Sequence, residues 1–229
     1  MLNRLEIRQM GLRPYEPVYQ AMGAFTDARE PGTADEIWVL EHEPVYTLGL
    51  GGKMEHVLDP GAIPVVRTDR GGQVTYHGPG QLIIYVLLDL NRRNLRVRAL
   101  VSSLEQAVIN CLARDGIDAA RVSGAPGVYV AGRKLAALGL RVRKGRSYHG
   151  LAVNVDGDLT PFAGINPCGY AGLPVTRLSD LGVNMNCQEF SAGLLPELCG
   201  LLDQESRIPQ QLRAQQRRVT HLRPELIHD

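Results

Sequence analysis

The segment that most limits the possible folds of this chain is QLIIYVLLDL, at residues 81–90. It is nearly all apolar and is bounded by Gly80 and Asn91. A strand with one solvated face alternates apolar and polar side chains, whereas a continuous apolar run of this length is typical of a strand buried on both faces. The run therefore predicts a central strand in a sheet that is covered on both sides.

The other apolar patterns place predicted strands in the middle of the chain and predicted helices at its flanks. Helical spacing occurs over residues 15–29, 100–114 and 189–202. Strand patterns occur in residues 36–49, which break at Glu43 and Pro44, and in residues 61–72, 81–90, 127–130, 134–142 and 148–155, with a hairpin turn at 131–133. No βαβ alternation is apparent. The pattern therefore favours an α+β fold, a single domain with a mixed β-sheet flanked by helices, over a doubly wound one.

Length and charge exclude several classes of protein. A chain of 229 residues fits one domain, 1–229, in which the Gln- and Arg-rich residues 204–229 are expected to form a peripheral tail. The formal net charge of +1 argues against a nucleic-acid partner, because no excess of basic residues is available to follow a phosphate backbone. The sequence shows neither a signal peptide nor an apolar stretch of membrane-spanning length, so we expect no membrane association and a cytoplasmic location.

The cysteines and histidines predict neither a disulfide framework nor a metal site. The four cysteines contain no CxxC pair, and the six histidines are scattered without an HExxH motif. We therefore expect reduced thiols, no metal and no cofactor. Cys111 and Cys199 lie on apolar helical stripes and are expected in the core, whereas the role of Cys187, in NMNCQ, stays open.

Three parts of the sequence together predict an acyl-transfer site. Cys168 lies between Pro167 and Gly169, in a loop that presents a side chain rather than packing it. A thiolate is a nucleophile, and a nearby ammonium favours the charged form of a thiol. Lys134 opens an otherwise apolar run, LAALGLRV, where an ammonium is costly unless a partner or substrate compensates. The glycine-rich stretch RGGQVTYHGPGQ, at residues 70–81, can turn backbone N–H groups toward a developing oxyanion.

Four motifs in this order, RGGQVTYHGPGQLIIY, GRKLAALGLRVR, YHGLAVNVD and GINPCG, resemble the lipoyl(octanoyl) transferase family, the octanoyl-[acyl carrier protein]:protein N-octanoyltransferases. The resemblance covers residues 36–181. It implies a fold similar to the catalytic domain of biotin and lipoate protein ligases, with Cys168 as the acyl-thioester cysteine and Lys134 as the catalytic lysine. It also implies three substrate-binding stretches: Arg70, Gly71, Gly72, Gln73, Val74, Thr75, Tyr76 and His77; then Ala137, Leu138 and Gly139; then Gly150, Leu151 and Ala152.

The same resemblance implies a reaction and its partners. An octanoyl group would pass from octanoyl-acyl carrier protein to Cys168, and from there to a specific lysine of the lipoyl domains of 2-oxoacid dehydrogenases or of the glycine-cleavage H protein. This is the first step of endogenous protein lipoylation. Lys134 would stabilise the thiolate as an ammonium and take the proton of the incoming lysine as an amine. We expect burial to lower the pKa of Lys134 so that it alternates between these states.

Two histidines are further candidates for the pocket. We expect residues 70–77 to form one loop in which His77 shapes the acyl pocket and polarises the thioester carbonyl; a structural histidine in a turn is the alternative. His149 adjoins Gly150 and is a possible pocket residue, while a strand histidine bonded to backbone is equally compatible with its position.

One cluster of charges also has two interpretations. Arg141, Arg143, Lys144 and Arg146 surround a predicted turn at Gly145. Such charges usually form a solvated hairpin tip, but they would also steer an acidic carrier protein toward the enzyme. The resemblance favours docking, because the donor it implies is a carrier protein.

Two rival functions remain at this stage. An ATP-dependent lipoate or biotin protein ligase has a similar fold but activates a free acid and needs no nucleophilic cysteine. A non-catalytic module that binds acyl carrier or lipoyl domains predicts no covalent adduct. The pairing of Cys168 with Lys134 separates the acyltransferase from both.

Overall fold

The computed structural model describes residues 5–207. Within this range lie ten strands: β1 (Leu5–Arg13), β2 (Asp35–His42), β3 (Val45–Leu48), β4 (Val65–Arg67), β5 (Val74–His77), β6 (Gln81–Leu87), β7 (Ala119–Val122), β8 (Ala125–Val130), β9 (Arg133–Arg143) and β10 (Arg146–Asn154). The same range contains three α-helices: α1 (Tyr15–Ala28), α2 (Val97–Arg114) and α3 (Cys187–Arg207). None of these helices is both long enough and apolar enough to cross a membrane.

The strands form two sheets. Seven strands follow the order β1-β2-β6-β10-β9-β8-β7, and three follow the order β4-β3-β5. The pair β1–β2 and the pair β3–β4 are parallel, and the other pairs are antiparallel. The prediction of an α+β domain with a mixed sheet flanked by helices is therefore confirmed.

Strand β6 lies near the middle of the large sheet, between β2 and β10. Its alternate residues Leu82, Ile84 and Val86 pack into the core that α2 and α3 cover. Ile83, Tyr85 and Leu87 pack on the opposite face with Val18 and Met22 of α1. Both faces are covered, and this is why the run at residues 81–90 contains almost no polar side chain.

The helices differ from the predictions mainly at their ends. Helix α1 agrees to within one residue, and α2 begins three residues earlier than predicted. Helix α3 extends over Cys187–Arg207 and accommodates Pro196. The first residues of the predicted tail, 204–207, therefore continue a helix, and residues 208–229 lie outside the described range.

Three strands were not predicted. Strand β1 is an edge strand with one neighbour, so most of its side chains are exposed and charged residues interrupt its apolar pattern. With α1 and β2 it makes one parallel βαβ unit. The sequence did not predict this unit, because a single βαβ unit produces no repeated alternation of strands and helices. β7 is the opposite edge. The prediction of a loop over residues 70–77 is wrong for its second half, because pairing with β3 makes Val74–His77 a strand.

A buried ion cluster joins three parts of the fold. Asp35, at the start of β2, is fully buried and accepts hydrogen bonds from Arg29, Arg92 and Arg93. Arg29 follows the end of α1, and the other two arginines follow β6. Because the carboxylate is the shared acceptor, its loss would leave the buried Arg29 without a counter-charge and Arg93 with only Asp203, 3.8 Å away.

We predict that Asp35→Asn lowers the free energy of unfolding by about 3 kcal/mol or more, because it removes the charge that compensates buried arginines. Urea denaturation measures the change. Asp27→Asn is the matched control, since Asp27 forms a half-exposed pair with Arg143 whose loss costs less than about 1 kcal/mol. Equal effects of the two substitutions would contradict the structural role assigned to Asp35.

Candidate active site

The side chains of Lys134 and Cys168 meet, with the Lys134 Nζ 3.0 Å from the Cys168 Sγ. Lys134 is the second residue of β9 and is 5% exposed, and Cys168 is half-buried in a single 3₁₀ turn, Pro167–Gly169. The backbone holds the two together. Lys134 N–H donates to the Pro174 carbonyl (2.8 Å), and Thr176 N–H donates to the Lys134 carbonyl (3.0 Å). The segment that follows Cys168 is thus bonded alongside the start of β9.

Cys168 adopts a left-handed backbone conformation, with φ 57° and ψ 15°. For a residue other than glycine this conformation costs of the order of 1–3 kcal/mol and is concentrated at functional sites. The turn that contains it is held by hydrogen bonds from Gly169 N–H to the Asn166 carbonyl and from Asn166 N–H to the His56 carbonyl. The surrounding contacts therefore impose the conformation that presents the sulfur.

Lys134 is enclosed on its other sides by β8. Its Nζ lies 5.3 Å from the centre of the Tyr129 ring. Gly127 leaves the space that the lysine occupies, since a Cβ at that position would lie 2.6 Å from Lys134 Cε. Any side chain at Gly127 would displace the ammonium.

The pKa of Lys134 is raised in this arrangement. Burial by itself acts to lower it, but the charge and hydrogen bond of Cys168, together with Tyr129, more than offset burial. Our expectation of a lowered pKa is therefore wrong for the free enzyme. Here the lysine is an ammonium.

The pair opens into a cavity of about 420 Å³, a size typical of small-molecule sites. All the site residues predicted from the sequence line it except Tyr76. Tyr76 points to the opposite side of β5, where its ring packs against Tyr46 and Phe162.

The floor of the cavity is made of small residues on neighbouring strands. Gly139 on β9 lies opposite Gly150 on β10, and Ala137 lies opposite Ala152. The 70–73 loop approaches this floor closely: a Cβ at Gly139 would lie 3.0 Å from the Gly71 carbonyl oxygen. Gly71 N–H also donates to the Leu140 carbonyl (2.9 Å). The absence of a side chain at Gly139 thus lets the loop pack closely on the sheet beside the cavity.

Arg70 anchors the loop from inside. Its buried guanidinium donates to the Thr47 hydroxyl and carbonyl and to the carbonyls of Gly71 and Gln73. Each of these acceptors is a neutral oxygen. Burial lowers the pKa of Arg70. The loop therefore carries a buried positive charge beside the cavity.

His77 is buried and neutral, and protein groups occupy both of its ring nitrogens. Its Nδ1 lies 2.7 Å from the Gln81 Oε1 and its Nε2 lies 3.3 Å from the Thr47 hydroxyl. Because the Gln81 oxygen can only accept, the ring proton is on Nδ1, and the Thr47 hydroxyl donates to Nε2. Burial, then the nearby His42, lowers the pKa of His77 to about 3. Neither nitrogen is free to polarise a thioester, so the structure does not support the expected role of His77 in polarising the carbonyl. It does support the expected role in shaping the pocket, because His77 lines the cavity.

His149 lines the cavity in a strained, clamped conformation. Its φ is +59°, and its ring stacks between Tyr19 and Tyr148. The Nε2 lies 3.0 Å from the Asp69 carboxylate, which replaces the backbone partner considered as an alternative. Burial lowers the pKa of His149 although Asp69 acts in the opposite direction.

Sequence reasoning missed part of the lining. The additional residues come from α1, β6, α2, the β7–β8 turn, the start of β8, β9 and the segment after Cys168: Tyr15, Ile83, Tyr85, Val97, Val101, Gly124, Ala125, Pro126, Leu140 and Tyr170. Ile83 and Tyr85 belong to the apolar run at residues 81–90, where period-two alternation places them on one face. The others are brought to the cavity by packing and carry no local pattern.

The remaining cysteines differ from Cys168 in their surroundings. Cys111 is buried in the core and Cys199 is partly buried against it, as predicted. Cys187, which was undecided, is buried at the start of α3. Burial raises the pKa of all three thiols.

The basic cluster is partly engaged within the protein. Arg143 pairs with Asp27 (3.0 Å), and Arg146 donates to the Thr26 carbonyl (3.0 Å). Lys144 lies at the hairpin tip. Across residues 5–207, no group of three or more histidine, cysteine, aspartate or glutamate side chains is arranged to hold a metal ion.

Comparisons with known proteins agree with this architecture. The family described as the lipoyl protein ligase A/B catalytic domain matches residues 19–199. The chain is 57% identical to the octanoyltransferase of Aeromonas hydrophila over 212 residues, covering 89% of this chain and 91% of the relative. It is 59% identical to the octanoyltransferase of Aromatoleum aromaticum over 198 residues, 86% of each chain.

Solved structures show the same fold at low sequence identity. The bi-partite lipoate protein ligase of Thermoplasma acidophilum is similar with a TM-score of 0.68 and 19% identity, covering 88% of this chain and 84% of that one. The biotin protein ligase of Aquifex aeolicus is similar with a TM-score of 0.53 and 13% identity, covering 90% and 71%. The fold is thus shared with ligases, while the high identity is to octanoyltransferases. The chain belongs to the octanoyltransferase family, acyltransferases of protein lipoylation with the lipoyl protein ligase A/B catalytic domain.

Proposed function

We propose that this chain transfers an octanoyl group from octanoyl-acyl carrier protein to a specific lysine of a lipoyl domain through an acyl-enzyme on Cys168. The observation that carries the proposal is the 3.0 Å contact between the Cys168 sulfur and the Lys134 ammonium at the edge of the cavity. A neighbouring ammonium favours the thiolate form of a cysteine, which is the nucleophilic form.

The first half-reaction forms the acyl-enzyme. The Cys168 thiolate adds to the thioester carbonyl, and the carbon–sulfur bond to the carrier's phosphopantetheine arm breaks. The leaving carrier thiolate takes a proton from the Lys134 ammonium. Octanoyl-Cys168, neutral Lys134 and the free carrier thiol are the products.

The second half-reaction returns both residues to their starting states. The neutral amine of the acceptor lysine adds to the octanoyl-Cys168 carbonyl, and the bond to the Cys168 sulfur breaks. The acceptor nitrogen gives its proton to Lys134. The products are an octanoyl amide, the Cys168 thiolate and the Lys134 ammonium, so the cycle is balanced in protons.

The pKa shifts of Lys134 support this use of one proton. In the free enzyme the thiolate raises the pKa of Lys134 against the effect of burial. Once the sulfur is acylated it carries no charge, and burial then acts to lower the pKa of Lys134. Acylation therefore changes Lys134 from a stabilising cation to a base, and the lowered pKa expected from the sequence belongs to this second state.

The cavity suits an acyl chain better than a polar substrate. Its floor is four small residues, and Ile83, which packs on the same face of the sheet as Ala152, adds apolar surface. An octanoyl chain can lie across the small residues while its carbonyl stays at Cys168. A ligase would activate a free acid and would leave the Cys168–Lys134 contact without a function, so we do not favour that alternative.

The partners follow from the reaction. The donor is octanoyl-acyl carrier protein, and the acceptors are lipoyl domains of 2-oxoacid dehydrogenases and the glycine-cleavage H protein. The Thermoplasma protein of the same fold is described with an E2 lipoyl domain, which supports an acceptor of this kind. The cytoplasmic location stays a prediction.

We predict that mixing the enzyme with octanoyl-acyl carrier protein adds one octanoyl group to Cys168, because its sulfur lies beside the Lys134 ammonium and lines the cavity. Intact-mass spectrometry with peptide mapping locates it. Cys168→Ala gives no adduct and no transfer, whereas Cys111→Ala retains both. Octanoate with ATP yields no adduct in the same assay. An adduct on another cysteine, or product formation by Cys168→Ala, would refute the covalent route.

Lys134→Arg separates charge from proton transfer. Arginine keeps a positive charge but does not give up its proton in the working pH range. We predict that octanoyl-Cys168 forms more slowly and that its transfer to a lipoyl domain is almost abolished. Single-turnover assays of each half-reaction measure the two effects. Normal transfer from a preformed acyl-enzyme would exclude Lys134 as the base.

The alkylation of cysteines tests the resting ion pair. At neutral pH we predict that iodoacetamide labels Cys168 well before Cys111, Cys187 and Cys199, whose pKa values burial raises. Lys134→Met slows this labelling, because the ammonium that stabilises the thiolate is gone. Lys53→Met, which removes an exposed lysine, is the control. Equal labelling rates in wild type and Lys134→Met would show that the ammonium does not activate the sulfur.

A further inference from the structure

We propose that the hydroxyl of Thr75 is a catalytic hydrogen-bond donor that stabilises the oxyanion formed at the thioester carbonyl in both half-reactions. This inference rests on the proposed acyl-enzyme route and adds a residue to it. The two tetrahedral intermediates of that route each carry a negative oxygen, and a donor preorganised at that point is among the largest single contributions to acyl transfer.

Thr75 lies where Cys168 and Lys134 meet. A second, much smaller cavity of about 10 Å³ adjoins the main one. Five residues line both cavities, namely Thr75, Lys134, Ala137, Ala152 and Cys168. Three of the five are polar, and two of these are the proposed nucleophile and base. Thr75 is therefore the third polar group at the point where the carbonyl must be placed.

Strand alternation directs the Thr75 side chain toward this point. Val74 and Tyr76 pack into the core of the small sheet, so the residues between and after them, Thr75 and His77, face the large sheet and the cavity. Thr75 is 8% exposed, which places its hydroxyl in surroundings where water competes little for a hydrogen bond.

The neighbouring polar side chains are engaged elsewhere. His77 donates from Nδ1 to Gln81, and Thr47 is bonded to both Arg70 and His77. The Gln81 amide donates to the Tyr76 carbonyl and to Asn154. Within residues 5–207 no hydrogen-bond partner holds the Thr75 hydroxyl, and its oxygen is open to the cavity instead of sealed in the core. Its proton is thus available to a substrate oxygen.

The test compares two reactions of the same sulfur. Octanoylation of Cys168 passes through an oxyanion, whereas alkylation by iodoacetamide is a displacement at carbon that forms none. We expect Thr75→Val to slow octanoylation on the order of 10²-fold, as loss of one oxyanion donor does, and to leave the alkylation rate unchanged. Thr75→Ser, which restores a hydroxyl, should recover most of the octanoylation rate.

Thr26→Val is the matched control for loss of a buried hydroxyl, because Thr26 Oγ1 is buried without a partner at the far end of α1. It should change neither rate. If Thr75→Val does not fold, as judged by its thermal unfolding, Thr75→Ala must show the same separation of the two reactions.

Three results would overturn the proposal. Octanoylation of Thr75→Val at the wild-type rate would show that the hydroxyl is not used. A parallel loss of octanoylation and alkylation would show that Thr75 positions or activates the sulfur. Failure of Thr75→Ser to recover the rate would assign the effect to packing. Absence of octanoyl-Cys168 in the wild-type enzyme would instead refute the proposed function itself.

Discussion

The site depends on a short backbone ladder between the start of β9 and the segment after Cys168. The N–H and carbonyl of Lys134 both bond to this segment, at Pro174 and Thr176. The two residues are 34 positions apart in the chain, and the ladder converts that separation into a 3.0 Å contact. Side-chain attraction alone would not hold a lysine so closely, because its long side chain loses rotamer freedom when it is ordered. The backbone bonds fix the position of Lys134, and the missing side chain at Gly127 leaves the space that the lysine occupies. Both conditions are met before any substrate binds.

The large sheet provides the surface on which this contact is built. Its central strand is covered by α1 on one face and by α2 and α3 on the other, and this burial stabilises the sheet. On the α1 face, however, the small sheet and the 70–73 loop cover β9 and β10 where these strands carry Gly139, Gly150, Ala137 and Ala152. Small residues on a rigid sheet leave a cavity whose floor cannot collapse, because the backbone on either side is fixed by hydrogen bonds.

The site contains two buried cations, Arg70 and Lys134, and each is held by a different kind of acceptor. Arg70 is held by neutral oxygens and Lys134 by the sulfur, and the histidine between the loop and the sheet is neutral. Because His77 is neutral, it does not compete with the Lys134 ammonium as a partner of the thiolate. This arrangement lets acylation of one sulfur change the protonation of one lysine, which is the coupling that a two-step transfer requires.

The sequence by itself determined the fold class and many of the parts of the site. The apolar run at residues 81–90 required a strand with two covered faces. The residues of four motifs predicted Cys168, Lys134 and the substrate-binding stretches. Local patterns failed at β1 and β7, which are edge strands with little burial to impose an alternation, and at β5, which is a strand only because β3 pairs with it.

The tertiary structure alone decided how the chemical groups act. It showed that His77 has no free nitrogen, because Gln81 and Thr47 occupy both. It also showed that the pKa of Lys134 is raised in the free enzyme, since the sulfur's charge outweighs burial. A motif names residue types, but hydrogen-bond partners and pKa shifts arise from groups distant in the chain. Those distances are set only when the sheet, the loop and the segment after Cys168 pack together.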